Sequence, residues 1–369
     1  MINVLYLRQA SGSVGGADTV ILNTIEAMKG SDINIIPVYL KKYNEDVSAI
    51  SCRVSEIGAA SFYDVAGRLP VDPLQLLQIG RIIRRHKVRI IHCHEYKSDI
   101  LGYLIGHLFP TVKLISTVHG WIETRKRSRY YIKLDRVVLR RFDAVIVVSS
   151  DILRVCQDSG IDRLHLLRNC VDTSKWSASE DEMPGDRPAT PFSVGFVGRI
   201  SMEKGPLDFV YTASRVLQEY PDTEFYVAGT GQELHKMKTC AIEAGVIGRF
   251  HFLGYLNEQQ LNKLYQQLDV VLLTSYTEGI PLTILEACAM GVVVVATEVG
   301  GVGEVIEHGV NGLLTRAGDV QALASAIISL RQDNALFKRL KDNGRNIVQQ
   351  HFSSQSYAVK LQDVYEGIL

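Results

Sequence analysis

Several features are missing from this 369-residue sequence, and each absence removes a class of protein. No apolar run approaches the ~18 residues that a bilayer-spanning helix needs. The N-terminus offers only INVLYL before Arg8, without a basic leader or a small-residue cleavage site. A cytoplasmic address is therefore expected. The six cysteines (Cys52, Cys93, Cys156, Cys170, Cys240 and Cys288) form no C-x-x-C pair, so reduced thiols are expected rather than a disulfide framework or a structural zinc site. Low-complexity segments and internal repeats are also absent. What remains, 46% hydrophobic, 8% aromatic and 22% charged, is an ordinary globular composition, with length for roughly two to three domains.

Net charge is absent too, but only as a sum. Residues 1–170 hold 24 Lys plus Arg against 16 Asp plus Glu, and residues 171–369 hold 16 against 24. A chain divided in this way has reason to meet an anionic partner on one side only.

The first half alternates short β-rich runs with amphipathic stretches. INVLYL is followed by ADTVILNTIEAMKG, then INIIPVYL, and later VRIIHCH, KLISTVHG and FDAVIVVSS. This alternation predicts a parallel sheet with helices on its faces. Between Val171 and Pro191 the pattern breaks into VDTSKWSASEDEMPGDRPATP, rich in proline and acids, and residues 171–190 read as a linker. The alternation then restarts with FSVGFVG, TEFYVAG, RFHFLG, DVVLLTS, VVVVAT and GLLTR. The chain closes on a helix with Tyr357, Leu361 and Tyr365 at four-residue spacing. Two doubly wound α/β domains are expected, over 1–170 and 191–353, with the cleft between them as the default ligand site.

Residues 275–314 carry the most chemistry. They read strand, loop (YTEGI), helix (PLTILEACAM), strand, Gly-rich turn (EVGGVGE). Pro281 suits the first helical position. The free amides of Leu282, Thr283 and Ile284 would then bind phosphate with help from the helix dipole. Glu278 and Glu286 flank that point, Glu286 lying ~7–8 Å beyond Pro281 along the axis. If a diphosphate caps the helix, one carboxylate can face a sugar and the other a ribose, each accepting from two hydroxyls. The bland alternative is two glutamates on a solvated face.

E-x7-E as EGIPLTILE, then A-x-A-x-G and a downstream GGVGE, resembles the retaining nucleotide-sugar glycosyltransferases of glycosyltransferase family 4, and the resemblance extends over essentially the whole chain. It implies a GT-B fold, whose C-terminal helix, here about 354–369, crosses back to the N-terminal domain. It also implies that Glu278 contacts the donor sugar, Glu286 the ribose, and the backbone of Gly279, Ile280, Pro281, Leu282 and Thr283 the diphosphate. A UDP-sugar is the donor the resemblance favours, with GDP- and ADP-sugars as alternatives.

A second constellation, VGFVGRISMEKGP, places Arg199 and Lys204 in a loop at the carboxyl end of a strand. Two cations there could neutralise the charge that develops on a departing diphosphate, and R-x4-K matches the family pattern. No D-x-D is present to hold Mg²⁺ or Mn²⁺, and the histidines of HCHE (92–95) make at most a partial site. Neither a metal nor any other cofactor is expected.

The remaining candidates rest on weaker signals. Gly12, Gly15 and Gly16 in ASGSVGGAD allow close backbone approach to a ligand, or form a plain strand-to-helix turn. His119, before Gly120, resembles the family's histidine that contacts the transferred sugar. Gly229 and Gly231 in AGTGQE, and Gly254 and Tyr255 in FLGYL, match loops that line the family's nucleotide pocket.

The N-terminal cations concentrate in RIIRRHKVR (81–89) and in Ile122–Arg141, where eight Lys or Arg interleave with apolar residues at three- and four-residue spacing. The latter reads as a basic amphipathic helix, either packed on its sheet or drawn to an anionic membrane. No helix-turn-helix, zinc finger or RNP-type motif accompanies the charge, so nucleic acid is not expected. The expectation is a retaining, metal-independent transfer of a sugar from a nucleotide-sugar to a hydroxyl of a glycan or lipid-linked glycan, in the synthesis of bacterial cell-surface polysaccharide or glycolipid. The enzyme would be peripheral on the inner face of the cell membrane. A nucleotide-sugar epimerase of the same fold, and a catalytically silent binding module, are the alternatives.

Overall fold

The computed structural model describes residues 1–10, 15–59, 61–69, 71–121, 126–177 and 191–369, with the side chains of 126–129 excepted. Gly12, part of the expected linker (178–190) and the start of the basic segment (122–125) lie outside the described residues. The chain divides into two compact units, Met1–Cys170 with Ser354–Leu369, and Val171–Ser353. This is a GT-B fold of two Rossmann-like domains, with the C-terminal helix belonging to the first unit.

The first unit runs β1 (Ile2–Gln9), α1 (Gly16–Ala27), β2 (Ile33–Lys42), α2 (Ser48–Glu56), β3 (Tyr63–Gly67), α3 (Pro73–His86), β4 (Ile90–Cys93), α4 (Tyr96–Leu108), β5 (Lys113–Val118), α5 (Lys126–Leu139), β6 (Ala144–Val147), α6 (Ser150–Asp158) and β7 (Leu164–Leu166). The second runs β8 (Ser193–Val197), α7 (Pro206–Glu219), β9 (Glu224–Ala228), α8 (Leu234–Glu243), β10 (Phe250–Gly254), α9 (Glu258–Gln267), β11 (Val270–Leu273), α10 (Leu282–Ala289), β12 (Val293–Thr297), β13 (Leu313–Thr315), α11 (Val320–Gln332) and α12 (Asn334–His351). Helix α13 (Ser354–Gly367) then returns to the first unit.

All named strands pair in parallel, in the orders β3-β2-β1-β4-β5-β6-β7 and β10-β9-β8-β11-β12-β13. Central strands are buried on both faces: Val4, Leu5, Ile90 and Ile91 in the first sheet, and Val270, Leu272, Val293 and Val294 in the second, are almost wholly inaccessible. Near-continuous Val and Ile runs are what a doubly covered sheet demands. The edge strands β3 and β7 were not expected from the sequence. They are short and only partly apolar, so they carry little of that signature.

In the first unit α1, α2 and α13 share one core, while α3, α4, α5 and α6 cover the opposite face of the sheet. Helix α13 docks through the spacing read from sequence: Tyr357, Leu361 and Tyr365 are all buried. Its Tyr365 hydroxyl also lies 2.6 Å from the Tyr6 hydroxyl and 2.7 Å from His92 Nδ1. His92 Nε2 in turn lies 2.7 Å from Thr117 Oγ1, so the helix is tied to β1, β4 and β5 through one buried polar chain.

Removing one member of such a chain leaves buried partners unsatisfied. Tyr365→Phe should therefore cost about 1–3 kcal/mol of stability. Urea unfolding of the first unit, followed by Trp121 fluorescence in a Trp176→Phe background, measures the loss, and an unchanged midpoint would show that α13 is held by its apolar face alone.

Candidate active site

In the second unit the two sequence motifs meet. Loops leaving β8, β11 and β12 interlock through backbone. Thr274 Oγ1 donates to the carbonyls of Lys204 (2.9 Å) and Gly205 (2.8 Å), the Tyr276 amide to Glu203 O (2.8 Å), and the Gly301 amide to Gly279 O (3.0 Å). Gly205 and Gly300 are left-handed (φ +61° and +53°), and a Cβ on them would stand 2.1 Å from Thr274 O and 1.8 Å from Glu278 O. Only glycine permits both the dihedral and the approach.

That frame brings Lys204 Nζ to 2.6 Å from Glu278 Oε1, where Ser275 Oγ also donates at 2.6 Å. The Glu278 side chain is almost fully shielded while that of Lys204 is partly open. Arg199 does not join them. It is exposed and reaches Glu203 Oε1, four residues on, at 3.5 Å, so the R-x4-K spacing delivers one cation into the cluster and leaves the other outside it.

Helix α10 starts one residue later than expected. Pro281 is its N-cap, with extended ψ (128°), and the Ile284 amide turns back to Pro281 O at 3.1 Å. The expected set of three free amides is thereby corrected to two: among the described residues no hydrogen bond engages the Leu282 or Thr283 amide. Along the helix Glu286 is buried and accepts from Tyr265 Oη at 3.0 Å. Burial pushes its carboxyl up to about 7, Tyr265 works in the opposite direction, and Glu258 adds to the rise. Tyr265 and Ser275, which hold the two glutamates, were not read from the sequence, because a tyrosine inside an amphipathic helix and a serine after a strand carry no mark of their partners.

Gly229 and Gly231 pack against backbone: a Cβ on them would stand 1.8 Å from Gly198 O and 2.1 Å from Ile200 O. Their tight constraint is on loop packing. Gly254 is left-handed (φ +69°), its carbonyl accepts from the Gly229 amide at 2.7 Å, and Tyr255 beside it is exposed.

In the first unit His119 follows β5 and His94 follows β4. The rings of His92 and His94 stack at 4.4 Å and those of His94 and His119 lie 5.9 Å apart, each pair nearly parallel. Burial, then His119, pushes His92 down to about 3. Burial, then Arg8, does the same for His119. His94 is held well below its usual range by burial and by His92, His119 and Arg8. Both ring nitrogens of His94, and Nε2 of His119, are buried with no partner, so these two neutral imidazoles leave hydrogen-bonding capacity unused, whereas both nitrogens of His92 are engaged. Beneath them Arg8 pairs with Asp18, and Asp18 also accepts from the Gly15 amide at 2.9 Å. Gly15 is the N-cap of α1, and the space beyond Gly16 is open. The Arg8–Asp18 pair was missed, although an arginine directly following an apolar strand run is its sequence signal. Among the described residues no group of three or more His, Cys, Asp or Glu could hold a metal ion.

Comparison with known proteins bears on this geometry. Residues 179–347 match the family described as glycosyl transferases group 1, and residues 14–175 match glycosyltransferase family 4. The chain is 27% identical to the glycogen synthase of Mycobacterium tuberculosis over 79% of its own length and 72% of that protein. It is 25% identical to the Escherichia coli UDP-Gal:alpha-D-GlcNAc-diphosphoundecaprenol alpha-1,3-galactosyltransferase, over 80% and 79%. Among solved structures, Anabaena HepE in complex with UDP-glucose superposes with a TM-score of 0.86 over the full length of both chains at 20% identity. Two sequence families that between them take in most of the chain, on a fold shared with such enzymes, establish that this protein belongs to the GT-B glycosyltransferases.

Proposed function

We propose that the protein transfers a hexose or related sugar from a UDP-sugar to a hydroxyl of a glycan or lipid-linked glycan, with retention at the anomeric carbon and without a metal, in the synthesis of bacterial cell-surface polysaccharide or glycolipid. The observation that carries this reading is the Lys204–Glu278 contact beside the open N-terminus of α10. It sets a cation, a shielded carboxylate and two unengaged amides around one point. A diphosphate there would take the Leu282 and Thr283 amides and Lys204, with Arg199 closing from the rim. Glu278 would then accept from the donor sugar and Glu286 from the ribose, as the motif resemblance implies. UDP is favoured because the galactosyltransferase relative and the HepE complex both carry it in their descriptions.

In the step itself the anomeric C–O bond to the diphosphate breaks, and a bond to the acceptor oxygen forms on the same face of the sugar. The acceptor's proton passes to the departing phosphate oxygen. Lys204, Arg199 and the helix amides stabilise the charge on that group, the role a metal would otherwise take. Unpartnered nitrogens on His94 and His119 suit sugar hydroxyls, since neutral imidazoles can both donate and accept. A lipid-linked acceptor follows the galactosyltransferase relative. The cations of Ile122–Arg141 would draw the enzyme to an anionic membrane surface on the cytoplasmic side, mainly through charge, because Ile132, Val138 and Leu139 of α5 are buried and Tyr130 and Val137 are its exposed large apolar side chains.

Arg199→Ala/Lys204→Ala should lower turnover of a UDP-sugar by about 10²-fold or more while EDTA leaves the wild type unaffected; wild-type turnover by the double variant overturns the mechanism. Glu278→Ala should depress kcat more than donor affinity, with the product anomer read by NMR; inversion would refute retention.

Glu286 gives a pH signature. It must be ionised to accept from two hydroxyls, so UDP affinity should fall as pH drops through about 7, by up to about tenfold per unit. Its raised value also means that folding favours the neutral form, so ionising it at rising pH costs stability. Glu286→Gln should thus weaken UDP binding, remove its pH dependence in calorimetric titrations, and raise stability by up to ~3 kcal/mol at pH 8 but by less than about 1 at pH 5.

A further inference from the structure

Helix α3 is amphipathic in an unusual sense. Its inward face, Ile79, Ile82 and Ile83, is packed on the sheet. Its outward face is not polar at the N-terminal end: Leu74 and Leu77 are 55% and 59% exposed, and Leu69 and Val71, just before the helix, are exposed as well. Further along, the outward positions are Arg81, Arg84 and Arg85. Leu74, Leu77, Arg81 and Arg85 recur at three- and four-residue spacing, so the leucines and arginines form one stripe. The only acid between Leu69 and Arg89 is Asp72, and it is buried as the N-cap, accepting from the Leu74 amide at 2.9 Å. The adjoining helices repeat the pattern. Asp99 of α4 and Asp135 of α5 are buried, while Leu108, Lys133, Arg140 and Arg141 are exposed.

We infer that the N-terminal half of α3 is a membrane wedge. Leu74 and Leu77, flanked by Leu69 and Val71, enter the boundary between headgroups and acyl chains, and Arg81, Arg84 and Arg85 lie at the level of anionic lipid phosphates. The apolar groups form a ridge rather than a groove, and apolar and cationic side chains follow one another along one helix. An anionic bilayer offers the matching layers, hydrocarbon below and phosphate above, and arginine stems can span the two. The wedge shares the membrane with the surface-charge reading of α5 but names a different element and a different contribution, burial of apolar surface, which salt does not screen.

Cys52 is the only exposed thiol among the described residues, so a Cys52→Ser background accepts a single environment-sensitive label at Leu77→Cys or, as a control, at Lys133→Cys. Full-length protein is mixed with vesicles of phosphatidylcholine alone or with phosphatidylglycerol added, and sedimentation is followed alongside emission. The expected result is sedimentation with the anionic vesicles, a blue shift at position 77 and none at 133. Leu74→Gln/Leu77→Gln should lose roughly tenfold in vesicle affinity and bind only at low salt. Sedimentation without a shift at 77 would overturn the wedge and leave the surface-charge reading standing. Failure to sediment with any vesicle would remove both. A dimer in light scattering that the double leucine variant dissociates would assign the ridge to a second copy of the chain and likewise overturn the proposal.

Discussion

A parallel sheet has a direction, and the rest of this molecule follows from it. Because neighbouring strands point the same way in each unit, every loop that leaves a strand's carboxyl end emerges on one edge of its sheet. Residues far apart in sequence are thereby forced together: Gly198 to Gly205, Gly229 to Gly231, Ser275 to Thr283, and Gly300 with Gly301. Crowding at that edge is severe enough that backbone meets backbone, and this fixes the glycines before any ligand is considered. The Lys204–Glu278 contact is a product of the same crowding. It forms where the β8 and β11 loops are stitched through Thr274 and Tyr276, which brings the cation and the carboxylate within reach of each other.

How much of this was legible depended on whether a residue's role is local or relational. Runs such as VVVVAT and VRIIHCH reveal themselves as central strands because burial on both faces leaves no polar alternation. YDVAG and LHL, at the edges, are half-solvated and look like loop. E-x7-E and R-x4-K are legible as motifs, but nothing in either spacing says that Lys204 rather than Arg199 turns inward. That choice is made by left-handed Gly205 and by the β11 loop lying against it. The start of α10 was misplaced by one residue because a proline fits the cap as readily as the first turn; the extended ψ at Pro281 decides it. In the same way the Tyr357–Leu361–Tyr365 spacing announced a packed helix face, while the hydrogen bonds from Tyr365 to Tyr6 and His92 span most of the chain and leave no trace in sequence.

The basic segment around α5 shows why amphipathic spacing alone cannot choose between a core and a membrane. Ile132, Val138 and Leu139 recur as a lipid-facing stripe would, yet all three are buried in the first unit. Alternating charge and apolarity is satisfied equally by a sheet on one side and water on the other. Helix α3 is less ambiguous, because its inward isoleucines already meet the sheet and Leu74 and Leu77 remain outside, next to exposed Leu69 and Val71; α5 leaves only Tyr130 and Val137 outside among its large apolar side chains.

Local charge does not follow the net charge of either unit. The basic half has an essentially neutral interior at its strand ends: His92, His94 and His119 are held uncharged by burial first, then by a neighbouring histidine or Arg8, and Arg8 is paired with Asp18. In the acidic half Lys204 pairs with Glu278, and the exposed Arg199 pairs with Glu203. Each of these cations is matched by a carboxylate, so neither cluster carries the net charge of its own domain. The N-terminal surplus does not lie at these strand ends. It sits on the outer helices, where α3 and α5 expose arginine and lysine and keep their acids buried, and its physical consequence is a cationic outer surface whose field extends about a Debye length, some 8–10 Å, into solution.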